Sequence, residues 1–102
     1  MIGPATPIGY PLHETQQVDL EGELGVVIGR RAQRVAEAEA LDCIFGYVCA
    51  NDITARDIPY GDELVRRGKS FATFTPIGPW LVTDIDASDL RLQTRVLSLI
   101  HI

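Results

Sequence analysis

A chain of 102 residues has room for one domain at most. Its composition, 46% hydrophobic and 23% charged, is that of an ordinary globular protein and excludes disorder as the default, while no apolar stretch approaches the ~20 residues of a membrane helix. Fourteen acidic against nine basic residues leave a formal net charge of −5, so neither nucleic acid nor a membrane surface is an expected partner.

The first dozen residues carry Pro4, Pro7 and Pro11 with Gly3 and Gly9, which reads as looped or extended chain on the surface or at a sheet edge. This leader has no basic segment followed by an apolar one, so no signal peptide is visible and a cytoplasmic location is expected. Val18 to Gly29 is the first strong element, with Leu24, Val26, Val27 and Ile28 as strand formers and Gly29-Arg30-Arg31 as a turn. From Val35 to Ile44, apolar residues at Val35, Ala38, Leu41 and Ile44 predict one short helix, with Glu37 and Glu39 in its first turn but no good N-cap.

Phe45 to Ala50 reads as a buried strand that runs straight into the polar cluster Asn51, Asp52, Thr54, Arg56 and Asp57. Residues 59–69 are charged and predict a loop or short helix. Residues 70–78 read as irregular or extended, and Trp80 to Thr83 as a strand. Leu90, Leu92, Thr94 and Val96 alternate with Arg91, Gln93 and Arg95, the period-two pattern of a half-exposed strand. That pattern breaks at Leu97. Leu-Ser-Leu-Ile-His-Ile is also what one reading frame of a common transposon-based sequencing adapter encodes, so residues 97–102 are expected to be a non-native tail. The alternative is a genuine terminal strand that slips register. Cys43 and Cys49 fit no zinc spacing and are expected to be buried, reduced thiols.

The chemistry gathers in two places. In an extended Glu21-Gly22-Glu23 the two carboxylates share a face, about 7 Å apart along the strand. Like charges on one face repel, and a hard divalent cation between them would remove the repulsion. Gly22 leaves the opposite face open to close approach by another segment. A solvated acidic pair at a strand end is the other reading of the same residues. Asp52 ends the apolar run, where a rigid element positions its carboxylate. Together with Arg56 and Lys69 the three acids would make an ion site with cationic clamps, suited to an anionic, oxygen-rich small molecule. A salt-bridge cluster among the same charges is equally compatible with the spacing.

Other signals fail. Gly68-Lys69-Ser70 would need a glycine where Glu63 stands to be a phosphate loop. His13-Glu14 sits in the proline-rich leader with nothing to fix it, and no Gly-x-Ser-x-Gly elbow is present. Arg30, Arg31 and Arg34 have no interleaved aromatic and read as a solvated turn.

The segments Val18-Asp-Leu-Glu-Gly-Glu-Leu-Gly-Val-Val-Ile-Gly29, Phe45-Gly-Tyr-Val-Cys-Ala-Asn-Asp-Ile-Thr-Ala-Arg-Asp57 and Gly68-Lys-Ser-Phe-Ala-Thr-Phe74 resemble the fumarylacetoacetate hydrolase family. Pro76-Ile-Gly-Pro-Trp80 and Leu90-Arg-Leu-Gln-Thr-Arg-Val96 are similar to it as well, so the resemblance covers nearly all of residues 1–96. It implies an α+β, mostly β fold, here a partial mixed β-roll of a catalytic domain. It implies magnesium or manganese, with calcium as an alternative, held by Glu21, Glu23 and Asp52. It assigns catalytic and substrate-binding roles to Arg56 and Lys69, and substrate binding to Thr73. The implied substrates are 2-oxo or 1,3-dicarbonyl acids, acylpyruvate-like, whose carboxylate and keto oxygens the ion chelates while an enolate forms and a C–C bond breaks. A full-length homodimer is also implied.

The sequence departs from the family pattern in two respects. The His and Glu pair that activates water upstream in family members has no counterpart in these residues, so the piece is expected to hold the metal site without the general base and to be inactive alone. A position after Ala-Arg-Asp that is often glutamine is Pro59 here, which bears on one substrate contact. The alternative activities are an isomerase or decarboxylase of the 5-carboxymethyl-2-hydroxymuconate type, or a non-catalytic metal-binding module on the same scaffold.

Overall fold

The fold is built on antiparallel pairing of the two most β-prone runs of the sequence. In the computed structural model, which describes residues 1–58, 64–97 and 99–101, β1 spans Val18–Asp19 and β2 spans Gly22–Ile28. A short α1, Glu37–Ala40, continues as a 3-10 turn over Leu41–Cys43 into β3, Ile44–Asn51. Then come β4 (Thr54–Ala55), α2 (Leu64–Lys69), β5 (Ile77–Val82), β6 (Thr94–Val96) and β7 (Leu99–His101). The described strands form three sheets in the orders β1-β4, β2-β3-β5 and β6-β7, all antiparallel, with a single isolated parallel bridge between Ile2 and Pro76. This is the mostly β, α+β class expected.

The leader serves as an edge. Ile2 exchanges backbone hydrogen bonds with Thr75 (3.0 Å) and Ile77 (3.1 Å) and so borders the entry to β5. The small core lies under β1 and β4 rather than under the three-stranded sheet. Ile53, Ala55 and Phe74 are buried there, with Val18, Ile58 and Phe71 packed against them. Fully burying a side chain such as Ile53 or Phe74 is worth about 1.5–3 kcal/mol. The Phe71 and Phe74 rings are tilted at 52° with centroids 5.1 Å apart, a favourable aromatic contact.

Several expectations are corrected. Only Glu37–Ala40 of the run Val35 to Ile44 is α-helical, and every residue of it is exposed. A period of three without an N-cap or a surface to pack on does not sustain a helix. The charged stretch before Ser70, expected as a loop or short helix, forms α2 over its described part, so the described residues hold a second short helix. β3 is not a buried strand: among its residues only Gly46 is buried, and Phe45 remains 54% exposed because nothing described covers its outer face. Both thiols are free, but only Cys43, at the end of the 3-10 turn, is buried; Cys49, within β3, is exposed. The alternation from Leu90 to Val96 yields strand pairing only at Thr94–Val96, which form a hairpin with Leu99–His101 across the exposed Leu97. Pro59 lies outside the described residues.

Candidate metal centre

The β2-β3 register decides where the acids go. Gly22 pairs with Asn51 and Glu23 with Ala50, so the start of one strand meets the end of the other. Glu21 precedes β2 but is held as if the ladder continued. Its N–H donates to Asn51 Oδ1 (3.0 Å), and its carbonyl accepts the Asp52 N–H (3.0 Å). The segment 51–53 is tied on its other side as well, through Asn51 N–H to Pro76 O and Ile53 N–H to Phe74 O, both 3.0 Å. Asp52 is therefore clamped between two stretches of chain, above the fully buried Ile53.

Carboxylate oxygens of Glu21, Glu23 and Asp52 lie within 4.8 Å of one another. The opposite face of this turn is closed by β6. A Cβ built on Gly22 would sit 2.0 Å from Thr94 Oγ1, so glycine is what lets the two segments approach.

Two cations flank the acids. Arg56 Nε donates to Asp19 Oδ2 at 2.8 Å, and its Nη2 to Glu21 Oε1. Lys69, the last residue of α2, donates from Nζ to Glu21 Oε2 (2.9 Å), to Asp52 Oδ2 and to Thr54 Oγ1 (2.8 Å). Burial pulls the Lys69 pKa down, but the hydrogen bonds to Asp52 and Glu21 outweigh it and hold the ammonium above its ordinary value. Among the described residues, Arg56 pairs with Asp19 and Glu21, and Lys69 with Glu21 and Asp52, so acids and cations are interleaved at this site.

Thr73 stands apart in its bonding: its Oγ1 accepts the Gly9 N–H at 2.8 Å, and its backbone is left-handed (φ 73°), an outlier for a β-branched residue. In the turn just after β4, Asp57 accepts the Gln16 N–H (2.8 Å) and the Thr15 hydroxyl, and these bonds hold its carboxyl below the usual carboxylate range.

The donor set fits a hard divalent cation. Three carboxylates supply only oxygen, and their spread is one that metal–oxygen bonds of about 2.0–2.6 Å can span. Asn51, Asp19 and Thr54 are members of this site that sequence reasoning did not assign. The available signals were the Asp-x-Glu-x-Glu alternation from Asp19 and the position of Asn51 at the end of the apolar run.

A family profile described as fumarylacetoacetate (FAA) hydrolase, C-terminal, matches residues 1–98. A solved 2-hydroxyhepta-2,4-diene-1,7-dioate isomerase from Mycobacterium marinum is 45% identical with a TM-score of 0.88, over 96% of this chain and 38% of that one. A fumarylacetoacetate hydrolase from Exiguobacterium antarcticum is 40% identical with a TM-score of 0.89, over 96% and 36%. The mitochondrial oxaloacetate tautomerase of Xenopus laevis is 42% identical over 101 residues, 94% of this chain and 31% of that protein. The chain spans about a third of the length of the curated relatives it matches.

Proposed function

The chain belongs to the fumarylacetoacetate hydrolase family, and from that membership we propose that the protein carrying it is a divalent-metal-dependent enzyme that cleaves a C–C bond in 2-oxo or 1,3-dicarbonyl acids. Relatives in this family are enzymes: a hydrolase, an isomerase and a tautomerase are among those matched. The observation that carries the reading is the convergence of the Glu21, Glu23 and Asp52 carboxylates beside two cationic side chains.

Glu21, Glu23 and Asp52 would hold magnesium or manganese, with calcium as the alternative. When bound, such an ion supplies Lewis acidity, drawing charge from the carboxylate and keto oxygens of an oxo acid. Arg56 is already oriented by Asp19 and Glu21, so its guanidinium needs little further ordering to meet an anionic substrate. Lys69 brings a compact positive charge on a flexible stem to the place where an oxyanion develops, and partial burial strengthens both contacts over their value in water.

The second reading is isomerisation or tautomerisation, favoured by the Mycobacterium marinum and Xenopus laevis relatives. Both readings require charge to build on the same keto oxygen, and they differ in whether a C–C bond breaks. A panel of acylpyruvates and oxaloacetate, assayed on the complete protein with and without a chelator, tests this. Chelator-sensitive release of two products supports cleavage, and chelator-sensitive conversion without cleavage supports the second reading. Turnover untouched by the chelator contradicts metal dependence.

A further inference from the structure

Lys69 is the only lysine in the sequence. Its ammonium bridges Glu21 Oε2 and Asp52 Oδ2, two of the three carboxylates assigned to the cation, while Arg56 takes the other Glu21 oxygen. We propose that Lys69 is a resident counter-cation of the carboxylate cluster, which a divalent ion displaces on entry, so that ion binding is an exchange. This rests on the metal reading above.

The exchange follows from space and charge. A cation bonded to the same two oxygens would occupy the neighbourhood that Nζ now fills, and two positive centres at such short range repel strongly in a partly buried setting. One of the two protein cations must yield. Arg56 is held in a planar fork between Asp19 and Glu21. Lys69 has a flexible stem at the end of a six-residue helix, and its side chain is 32% exposed, so a path to solvent is open. The displaced ammonium becomes available to a substrate anion, which places ion binding before productive use of Lys69.

Two measurements on the complete protein test this with Mn²⁺ as the probe. In calorimetry, Lys69→Met is expected to bind Mn²⁺ about tenfold or more tighter than the unsubstituted protein, the size of one removed cation–cation contact. In amine acylation of the unsubstituted protein, read by mass spectrometry on the peptide containing residue 69, saturating Mn²⁺ is expected to speed modification several-fold; this arm needs no variant to fold. Equal or weaker binding by Lys69→Met overturns the exchange, as does acylation that Mn²⁺ leaves unchanged or slows. Absence of Mn²⁺ binding by both proteins overturns the metal reading itself, and the exchange with it.

Discussion

Asn51 Oδ1 accepts the N–H of Glu21 at 3.0 Å, so a side chain at the end of β3 sets the backbone of the first metal-candidate glutamate. The bond does what one more rung of the ladder would do, while the next residue, Asp52, is free to aim its carboxylate back at Glu21. Asn51→Ala removes this rung without touching a carboxylate. Losing a supporting partner of this kind costs about 10–100-fold in metal affinity. Calorimetry with Mn²⁺ on the complete protein checks it, and unchanged affinity would mean the carboxylates are set by other contacts.

The closeness of Gly22 and Thr94 gives a second expectation. Gly22→Ala forces a methyl group to within 2.0 Å of Thr94 Oγ1, and overpacking of this kind costs about 1–3 kcal/mol. Thr94→Ala in the same protein should recover most of that loss, because it removes the colliding oxygen. A double-mutant cycle by chemical denaturation measures the coupling. Additive effects would show that β6 does not press on this turn.

Phe74 is 1% exposed and its carbonyl holds the Ile53 N–H, so core and site share a residue. Phe74→Ala is expected to destabilise the protein by about 3–5 kcal/mol, the range for emptying a buried aromatic position. The midpoint of denaturant unfolding reads it directly. A loss below about 1 kcal/mol would mean the cluster under β1 and β4 is not a stabilising core.

Much of the site was legible because strand geometry is local. Glu-x-Glu puts two carboxylates on one side, and an apolar run ending in Asn51-Asp52 marks where a rigid strand delivers a third. The role of Gly22 was legible for the same reason: a residue without a side chain marks a close approach, and Thr94 makes it. Burial was less legible, because it depends on partners. Phe45 and Cys49 lie in an apolar run, yet a run is buried only when something packs on both faces. The helix over Val35–Ile44 failed for want of a packing surface, and the strand from Leu90 shrank to Thr94–Val96 because alternation does not name a pairing partner. Lys69 could be named from the motif but not placed, since only the fold of α2 swings it onto Glu21 and Asp52.

Asp57 predicts a pH dependence. The Gln16 N–H and the Thr15 hydroxyl favour its charged form, so its folded pKa lies below the ordinary 3.8. A lowered folded pKa adds stability that is present above the unfolded value and is lost as pH falls through the folded one. The melting temperature of the unsubstituted protein should therefore exceed that of Asp57→Asn by a constant margin near neutral pH. The margin should narrow below 3.8. A margin that widens in acid would contradict this sign.

Glu21, Glu23 and Asp52 are expected to hold one divalent cation together. Titration calorimetry of Mn²⁺ into the complete protein and into Asp52→Ala tests it most directly. One ion bound per chain is expected in the first and no measurable binding in the second, with the fold of Asp52→Ala intact by circular dichroism. Undiminished affinity in Asp52→Ala would place the ion elsewhere and rule out a centre built on these three carboxylates.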